Sequence, residues 1–360
     1  MAPSDQPADS PRPPDGPRRR RPRYAGTHPK RFQERYKELR PEAYPEMHEH
    51  VRAQGRTPAG THVPVLVAEV LAALAPAPGQ VVADCTVGYG GHAAEFMKRI
   101  GPTGKLVGFD VDASALDRVR PRLEALGTPF SLPRSNFAGI GNVLVAEGID
   151  GYDIVFADLG VSSMQVDDPA RGFSYKQDGP LDMRMDDRLK RTAADFLAIL
   201  PEADLAAALA ELADEPDAAR IAARIVEARA RHPLSRTLDL ARLVFEAKGL
   251  SRRTWREQAA EGAALHPAAL TFQALRILVN DELAALRHLL RIAPHTLRPG
   301  GRIGILAFHS GEDRLVKAAF RDGLATGAYA AASDEVIRPS SKEMHDNPRS
   351  ASAKFRWARR

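Results

Sequence analysis

The chain has 360 residues, of which 44% are hydrophobic and 27% charged, and it carries a net charge of +5. This composition fits a soluble globular protein and excludes a fibrous or wholly disordered chain, while the length exceeds one ordinary domain of roughly 100 to 200 residues. No apolar run approaches the roughly 18 residues of a membrane span, no secretory signal is visible, and the single cysteine, Cys85, excludes an internal disulfide and a thiolate metal cluster. We therefore expect a cytoplasmic protein with no membrane contact, and Cys85 in its core.

The two ends of the chain carry the excess positive charge. Residues 1–60 are rich in proline and arginine, contain 13 basic and 8 acidic side chains, and are predicted to form a disordered basic tail. The last 14 residues hold five basic side chains and no acid, so residues 61–346 have a net charge of −5. Mobile cationic ends suit a polyanion such as RNA, because phosphate binding releases counterions, and they equally suit a solubilising tail.

The pattern changes at Thr61, where a folded region is predicted to begin. Apolar spacing predicts a helix over 62–74, and strands are expected at 81–86, 106–110 and 152–158, with a weaker strand near Phe130. Helices at about 92–100 and 114–126 separate the first strands. This alternation predicts an α/β fold, with a parallel sheet covered on both faces.

Residues 187–260 are rich in Ala, Leu and Arg, have helical periodicity and contain no convincing strand, which predicts a helical insertion. A long helix from Thr271 to Leu290 and a buried strand after Pro299 then resume the sheet. The predicted units are the tail (1–60), the first part of the sheet domain (61–170), a loop with the helical domain (171–265), and the second part of the sheet domain with a basic C-terminus (266–360).

A glycine-rich turn follows the first strand, in the stretch Asp84-Cys-Thr-Val-Gly-Tyr-Gly-Gly-His92. Glycine is needed where a ligand approaches the backbone, and such a turn at the carboxyl edge of a parallel sheet is where nucleotides bind. Asp110 ends the next strand, where its carboxylate could accept hydrogen bonds from both ribose hydroxyls. Together these features indicate an adenosine-type ligand, although a tight structural turn or a dinucleotide fingerprint would also fit the glycines.

Asp158 ends the fourth strand and therefore lies at the same edge as the glycine turn, where it could face both a cofactor and an incoming base. The stretch 167–186 is too rich in Gly, Pro and Asp for a helix, and a long polar loop beside a site is often functional. Its acids could suggest Mg²⁺, but its own Arg171, Lys176 and Arg184 favour internal ion pairs. We expect no metal.

The sequence from His62 to Arg360 resembles the bacterial 16S ribosomal RNA (cytosine-N4)-methyltransferase family. Members of this family are class I S-adenosylmethionine enzymes with a helical substrate domain inserted in a Rossmann-like sheet. The matching stretches are His62-Val-Pro-Val-Leu, Asp84 to His92, Asp158 to Gln165, Arg171 to Ser174, Asp178 to Asp186, Thr271 to Leu283, Phe308 to Arg314 and Asn347 to Lys354.

The resemblance implies S-adenosylmethionine as cofactor and 16S rRNA in the small ribosomal subunit as partner, with the oligomeric state open. It implies cofactor contacts at seven residues, namely Gly90, Gly91, His92, Asp110, Phe137, Asp158 and Gln165. Asp158 is the expected catalytic residue, as acceptor for an N–H of the target amine, and a role in cofactor binding alone is the alternative. His309 is expected either to touch the base or a phosphate, or to be an internally satisfied histidine.

The sequence departs from the family pattern in three places. Ala269-Leu270 stands where the family usually has Thr-Arg, Gly311 replaces a leucine, and Asp214-Glu215-Pro216 replaces Gly-Glu-Glu. Because an arginine next to a nucleic acid can contact a phosphate, the exact target nucleotide stays open. The alternative functions are a nicotinamide-dependent oxidoreductase and a non-catalytic ribosome-assembly factor that binds RNA.

Overall fold

The computed structural model describes residues 64–261 and 265–360, so the predicted tail and the start of the first predicted helix lie outside the described residues. The strands are β1 (Val81–Asp84), β2 (Lys105–Gly108), β3 (Phe130–Ser131), β4 (Tyr152–Asp158), β5 (Leu297–Ala307), β6 (Ala331–Ala332) and β7 (Lys354–Arg359). The helices are α1 (Val67–Leu74), α2 (Gly91–Ile100), α3 (Ala113–Glu124), α4 (Ile140–Ala146), α5 (Ser163–Asp167), α6 (Ala193–Ile199), α7 (Glu202–Ala213), α8 (Ala218–Arg229), α9 (Thr237–Ala247), α10 (Arg252–Glu261), α11 (Ala269–Asn280), α12 (Glu282–Thr296), α13 (Ser310–Ala325) and α14 (Ser341–Asp346).

The strands form one sheet in the order β3-β2-β1-β4-β5-β7-β6. Strands β1 to β5 pair in parallel, whereas β7 is antiparallel to both β5 and β6. The predicted parallel sheet is therefore confirmed, and β4 has the predicted bounds. Because β1 lies between β2 and β4, the carboxyl ends of these three strands meet at one edge.

Both faces of the sheet are covered by helices, as the alternating pattern predicts. Buried side chains of α1, α2 and α3 pack on one face, around Phe96, Met97 and Phe156. Residues of α4, α12 and α13 pack on the other face, around Tyr152 and Leu289. Cys85 is buried and belongs to this second cluster, which confirms its predicted place in the core.

The segment between β4 and β5 builds a core of its own. All of residues 187–260 are described, and they form helices α6 to α10 with no strand, as predicted. Their buried side chains, among them Leu209, Ile221 and Val244, cluster with Met183 of the preceding loop and Phe272 of α11. We call this unit the helical insert.

The predicted single helix from Thr271 to Leu290 is wrong, because two helices occupy the segment. Asp281 separates α11 from α12 in the left-handed region, with a φ of 51°. The side chain of Asn280 is at the same time bonded to the loop before the insert, accepting from Met185 N at 2.7 Å and donating to Met183 O at 2.7 Å. An Asn-Asp pair tolerates such a turn better than most residues, and the apolar period alone does not reveal it.

The expectation of a mobile basic C-terminus is also wrong. Residues 354–359 form β7, which is paired along β5 inside the sheet. Arg356 is buried, and its Nε donates to Asp313 Oδ1 at 2.7 Å, while Arg349 pairs with Asp167 at 3.2 Å. These ion pairs with the body of the fold allow an arginine-rich segment to be built into a sheet.

Candidate active site

The glycine-rich turn connects β1 to α2 and requires glycine at position 90. Gly90 has a φ of 74°, and a Cβ atom built on it would lie 2.5 Å from Cγ2 of Val119. Both the left-handed backbone and the close approach of α3 therefore exclude a side chain. Gly91 begins α2 next to this position.

Asp110 lies directly against the turn. Its Oδ2 accepts from Gly88 N at 3.0 Å, and its Oδ1 accepts from Asp112 N at 2.9 Å. Burial raises the pKa of Asp110 to about 6, although these backbone donors oppose the shift. The structure thus brings together the turn and the carboxylate that the sequence pointed to.

His92 contacts Asp158 from the first turn of α2. Its Nδ1 is 3.5 Å from Asp158 Oδ2, and its Nε2 is 2.9 Å from the carbonyl oxygen of Val65. Its ring is buried and lies against Phe156, with the ring centroids 4.6 Å apart. Both ring nitrogens therefore face groups of the protein.

Asp158 ends β4 in a site that disfavours its charge. Burial raises its pKa to about 8, and the negative charges of Asp84 and Glu312 act in the same direction. Burial likewise raises the pKa of Asp84, at the end of β1, to about 7. A carboxyl group with such a pKa can exchange a proton near neutral pH.

Gln165 joins α5 to the end of β2. Its Oε1 accepts from Ser162 N and its Nε2 donates to Asp112 Oδ2 at 3.2 Å, while Arg171 Nη1 donates to the same oxygen at 2.8 Å. Burial alone would raise the pKa of Asp112. The hydrogen bonds from Ser114 and Arg171 outweigh this effect and hold the pKa below its ordinary value. Asp112 therefore connects the carboxyl edge of the sheet to the loop that contains Arg171.

Phe137 opens a short 3₁₀ turn after β3, and Asn136 caps this turn by accepting from Ala138 N at 2.9 Å. The ring of Phe137 is partly buried against the cluster on the α12 face. A pocket of about 230 Å³ lies beside it, lined by Asn136, Ala138, Asn280, Asp281, Ala284, Ala285 and His288. Phe137 therefore lies beyond the carboxyl end of β3, and its two chain neighbours line this pocket.

His309 is engaged in a helix cap. Its Nδ1 accepts from Glu312 N at 3.4 Å, its Nε2 lies 3.2 Å from Glu312 Oε1, and Glu312 Oε2 accepts in return from His309 N at 3.3 Å. This reciprocal arrangement is a capping box at the start of α13. The cap satisfies Nδ1, but Nε2 is buried and makes no hydrogen bond among the described residues, so both expected roles of His309 stay open.

Two departures from the family pattern meet at this helix. Asp214 adopts a φ of 53° at the end of α7, accepts from Ser310 Oγ at 2.7 Å and pairs with both Nη atoms of Arg314 at 3.0 Å. Gly311 lies between these partners, and a Cβ there would be 3.2 Å from the ring of His309. The third departure, Leu270, packs on the core of the insert.

The internal ion pairs predicted for the stretch 167–186 are present only in part, because Arg171 pairs with Asp112 and Asp178 pairs with Arg236, both outside it. Asp182 pairs with Arg184 at 2.7 Å, and just beyond them Asp186 pairs with Arg188 at 2.7 Å. Within residues 64–261 and 265–360, no cluster of His, Cys, Asp and Glu has the arrangement of a metal site. In the same residues, no helix has both the length and the apolar character needed to cross a membrane.

Sequence reasoning missed Asp84, Asp112 and Glu312 as parts of the site. Asp84 stood inside a matching stretch, but its chemical role depends on burial beside Asp110 and Asp158. Asp112 lies two residues after Asp110, a spacing that could have marked it as the cap of α3. Glu312 comes from the far end of the chain, so only the fold brings it near Asp158.

The sequence profile of the MraW methylase family matches residues 59–360. The chain belongs to this family. It is 43% identical over 344 residues to "Ribosomal RNA small subunit methyltransferase H 1" of Lachnoclostridium phytofermentans, covering 94% of this chain and 92% of that one. It is 42% identical over 346 residues to "Ribosomal RNA small subunit methyltransferase H 2" of Alkaliphilus metalliredigens, covering 95% of this chain and 97% of that one.

Membership in this family identifies the α/β sheet as the Rossmann-like sheet of a class I methyltransferase, and the protein as an S-adenosylmethionine-dependent enzyme. It does not favour the oxidoreductase or the non-catalytic assembly factor.

Proposed function

We propose that this protein transfers a methyl group from S-adenosylmethionine to the N4 amine of a cytosine in the RNA of the small ribosomal subunit. The observation that carries the proposal is the partly buried Asp158 carboxyl, which His92 approaches at the carboxyl edge and whose pKa of about 8 suits a proton acceptor. The names of the relatives support the RNA, and the resemblance of the motifs supports the base.

The groups of the carboxyl edge fit the parts of the cofactor. Gly90 and Gly91 let the turn pack closely against Val119 and Pro64 at the carboxyl edge, and Asp110 beside it supplies carboxylate oxygens for ribose hydroxyls. Phe137 would line the adenine side, and Gln165 would close the methionine side through its bond to Asp112. When bound, S-adenosylmethionine supplies the methyl group.

Asp158 has two tasks in this scheme. Its oxygens accept an N–H of the amine, which orients the nitrogen lone pair toward the methyl carbon and favours the positive charge that develops on nitrogen. As the amine takes the methyl group and the neutral thioether is released, the Asp158 carboxylate would accept one amine proton. Once it carries this proton, Asp158 can donate it toward Nδ1 of His92, which lies 3.5 Å from Oδ2.

The cofactor site is tested by calorimetric titration of the full chain with S-adenosylmethionine. Asp110→Asn should weaken binding by about 1 to 3 kcal/mol, because ribose hydroxyls lose a charged acceptor. Asp117→Asn, an exposed change on α3, is the matched control and should leave the affinity as it was. Equal affinities for all three proteins would contradict the assignment of Asp110.

The reaction is tested with purified small ribosomal subunits from a strain that lacks this gene, using S-adenosylmethionine labelled in its methyl group. Transfer of the label to RNA by the wild-type chain, and much slower transfer by Asp158→Asn, is the expected result. Cofactor binding without any transfer to RNA would contradict the proposed function and revive the non-catalytic alternative.

A further inference from the structure

Two arginines of α3 are held by one tyrosine of the glycine-rich turn. Arg118 Nη1 donates to the phenolic oxygen of Tyr89 at 3.1 Å, and Arg122 Nη1 donates to the backbone carbonyl of Tyr89 at 2.8 Å. The arginines are four residues apart, so they project from the same side of the helix on successive turns. Both are exposed.

The charges of these arginines are not neutralised. Among the residues that the structure describes, neither has a carboxylate within ion-pair distance, and Asp117 and Glu124 of the same helix pair with neither. Burial raises the pKa of Tyr89 above its ordinary value of 10, although Arg118 opposes this, so the phenol is neutral at physiological pH. The arginines around the neighbouring loop differ in this respect, because Arg171 and Arg184 are each bound to an aspartate.

Arg118 and Arg122 lie beside the edge of the sheet at which the RNA would bind. Tyr89 stands between Gly88, whose N–H binds Asp110, and Gly90, which packs on Val119 of α3. The pair therefore borders the proposed cofactor site. An RNA whose target base reaches Asp158 has to bring its flanking backbone over the rim of this same edge.

We propose that Arg118 and Arg122 form a phosphate-binding surface for the RNA strand next to the target cytosine, an inference that rests on the proposed function. A guanidinium binds phosphate oxygens through its planar N–H groups, and each phosphate contact releases counterions. Tyr89 fixes both side chains before binding, which lowers the conformational entropy lost on binding. A contact of this kind positions the strand and does not select the base.

The test compares three single variants that each remove one positive charge from α3. Arg118→Gln and Arg122→Gln alter the surface, whereas Arg120→Gln is the matched control, an exposed arginine of the same helix without a contact to Tyr89. The affinity of the full chain for small ribosomal subunits is measured across a range of salt concentrations. The affinity of each variant for S-adenosylmethionine is measured in parallel.

Each of the two test variants should bind subunits about tenfold more weakly at low salt, and its plot of log affinity against log salt should be shallower by about 0.7 to 0.9. Arg120→Gln should keep the wild-type slope. Arg118→Lys and Arg122→Lys should largely restore the slope, because they keep the charge, and this rescue separates a phosphate contact from a fault in folding.

Wild-type slopes in Arg118→Gln and Arg122→Gln would overturn the inference. So would weakened cofactor binding with an unchanged slope, which would mean that the arginines only support the turn. If the wild-type chain transfers methyl groups to RNA and the slopes do not change, this inference alone fails. If the wild-type chain neither binds nor methylates the subunits, the proposed function fails with it.

Discussion

His92 Nδ1 lies 3.5 Å from Asp158 Oδ2, while the other ring nitrogen, Nε2, is 2.9 Å from the carbonyl oxygen of Val65. Because a carbonyl oxygen only accepts, Nε2 carries a hydrogen, and Nδ1 of the neutral ring is then a bare acceptor. A hydrogen bond to Asp158 therefore requires one further proton, either on the carboxyl group or on the ring. His92 therefore lies between Val65, near the start of the described residues, and the proposed catalytic carboxyl of Asp158.

The first prediction concerns the role of His92, for which the resemblance implies a cofactor contact. We expect His92→Asn to lower the single-turnover methylation rate by about tenfold to a hundredfold, because Asp158 loses the group that orients it. The affinity for S-adenosylmethionine should change much less. His345→Asn, at an exposed position of α14, is the control.

A loss of cofactor affinity equal to the loss of rate would contradict this prediction. It would return His92 to the role of a direct cofactor contact.

The second prediction follows from the raised pKa of Asp158. An unfolded aspartate has a pKa of 3.8, whereas burial and the charges of Asp84 and Glu312 raise the folded value to about 8. The carboxylate that accepts the proton is therefore formed only as the pH rises toward 8. At saturating cofactor, the single-turnover rate should rise with pH, with an apparent pKa at or below about 8, since a nearby sulfonium cation favours the ionised form.

Asp158→Asn should be slow and should lack this rising limb, because an amide does not titrate. A variant with the wild-type pH profile would assign the limb to another group, such as Asp84, and would contradict proton acceptance by Asp158.

The third prediction separates backbone strain from close packing in the glycine-rich turn. Gly90 and Gly101 both have positive φ values, 74° and 65°, but a Cβ at Gly101 meets nothing within 4 Å, whereas one at Gly90 strikes Val119. Gly101→Ala should cost about 1 to 3 kcal/mol of unfolding free energy through strain alone, because its ψ of −170° places it outside the left-handed helical region. Gly90→Ala should cost about 1 to 3 kcal/mol more, and should also weaken cofactor binding.

Chemical denaturation of both variants measures this difference. Equal losses of stability would show that α3 moves away from the turn without cost.

The fourth prediction concerns the basic tail, which lies outside the described residues. Deletion of residues 1–56 removes 13 basic and 8 acidic side chains, so affinity for ribosomal RNA should fall and its salt dependence should become shallower. The methylated nucleotide should stay the same, because phosphate contacts position an RNA without reading its bases. Replacement of Arg18 to Arg21 by serine should reproduce part of the effect.

Binding of the truncated chain to subunits as tightly as the full chain at low salt would contradict this role. The tail would then serve solubility or another partner.

The sequence could predict the sheet because its strands are short apolar runs separated by helical periods. It could also predict the approach of Asp110 to the glycine turn, since both follow adjacent parallel strands whose ends share an edge. These features depend on local pattern and on one general rule of topology. The bounds of β4 could be predicted for the same reason.

Features that depend on distant partners could not be predicted. The arginines of β7 suggested a mobile segment, and only Asp313 on α13 makes it possible to bury Arg356. The break at Asp281 depends on the bonds between Asn280 and a loop about a hundred residues earlier. The raised pKa of Asp158 likewise arises from burial in the folded chain, and next from Asp84 and Glu312, which reach it from another strand and a helix.

Methyl transfer to the N4 amine of cytosine can be measured by mass spectrometry of the nucleosides of small-subunit RNA. Subunits from a strain without this gene are incubated with the purified chain and with S-adenosylmethionine whose methyl group is deuterated. We predict deuterated N4-methylcytidine with the wild-type chain and almost none with Asp158→Asn. Label on another nucleoside, or none on the RNA while the chain still binds S-adenosylmethionine, would contradict the account.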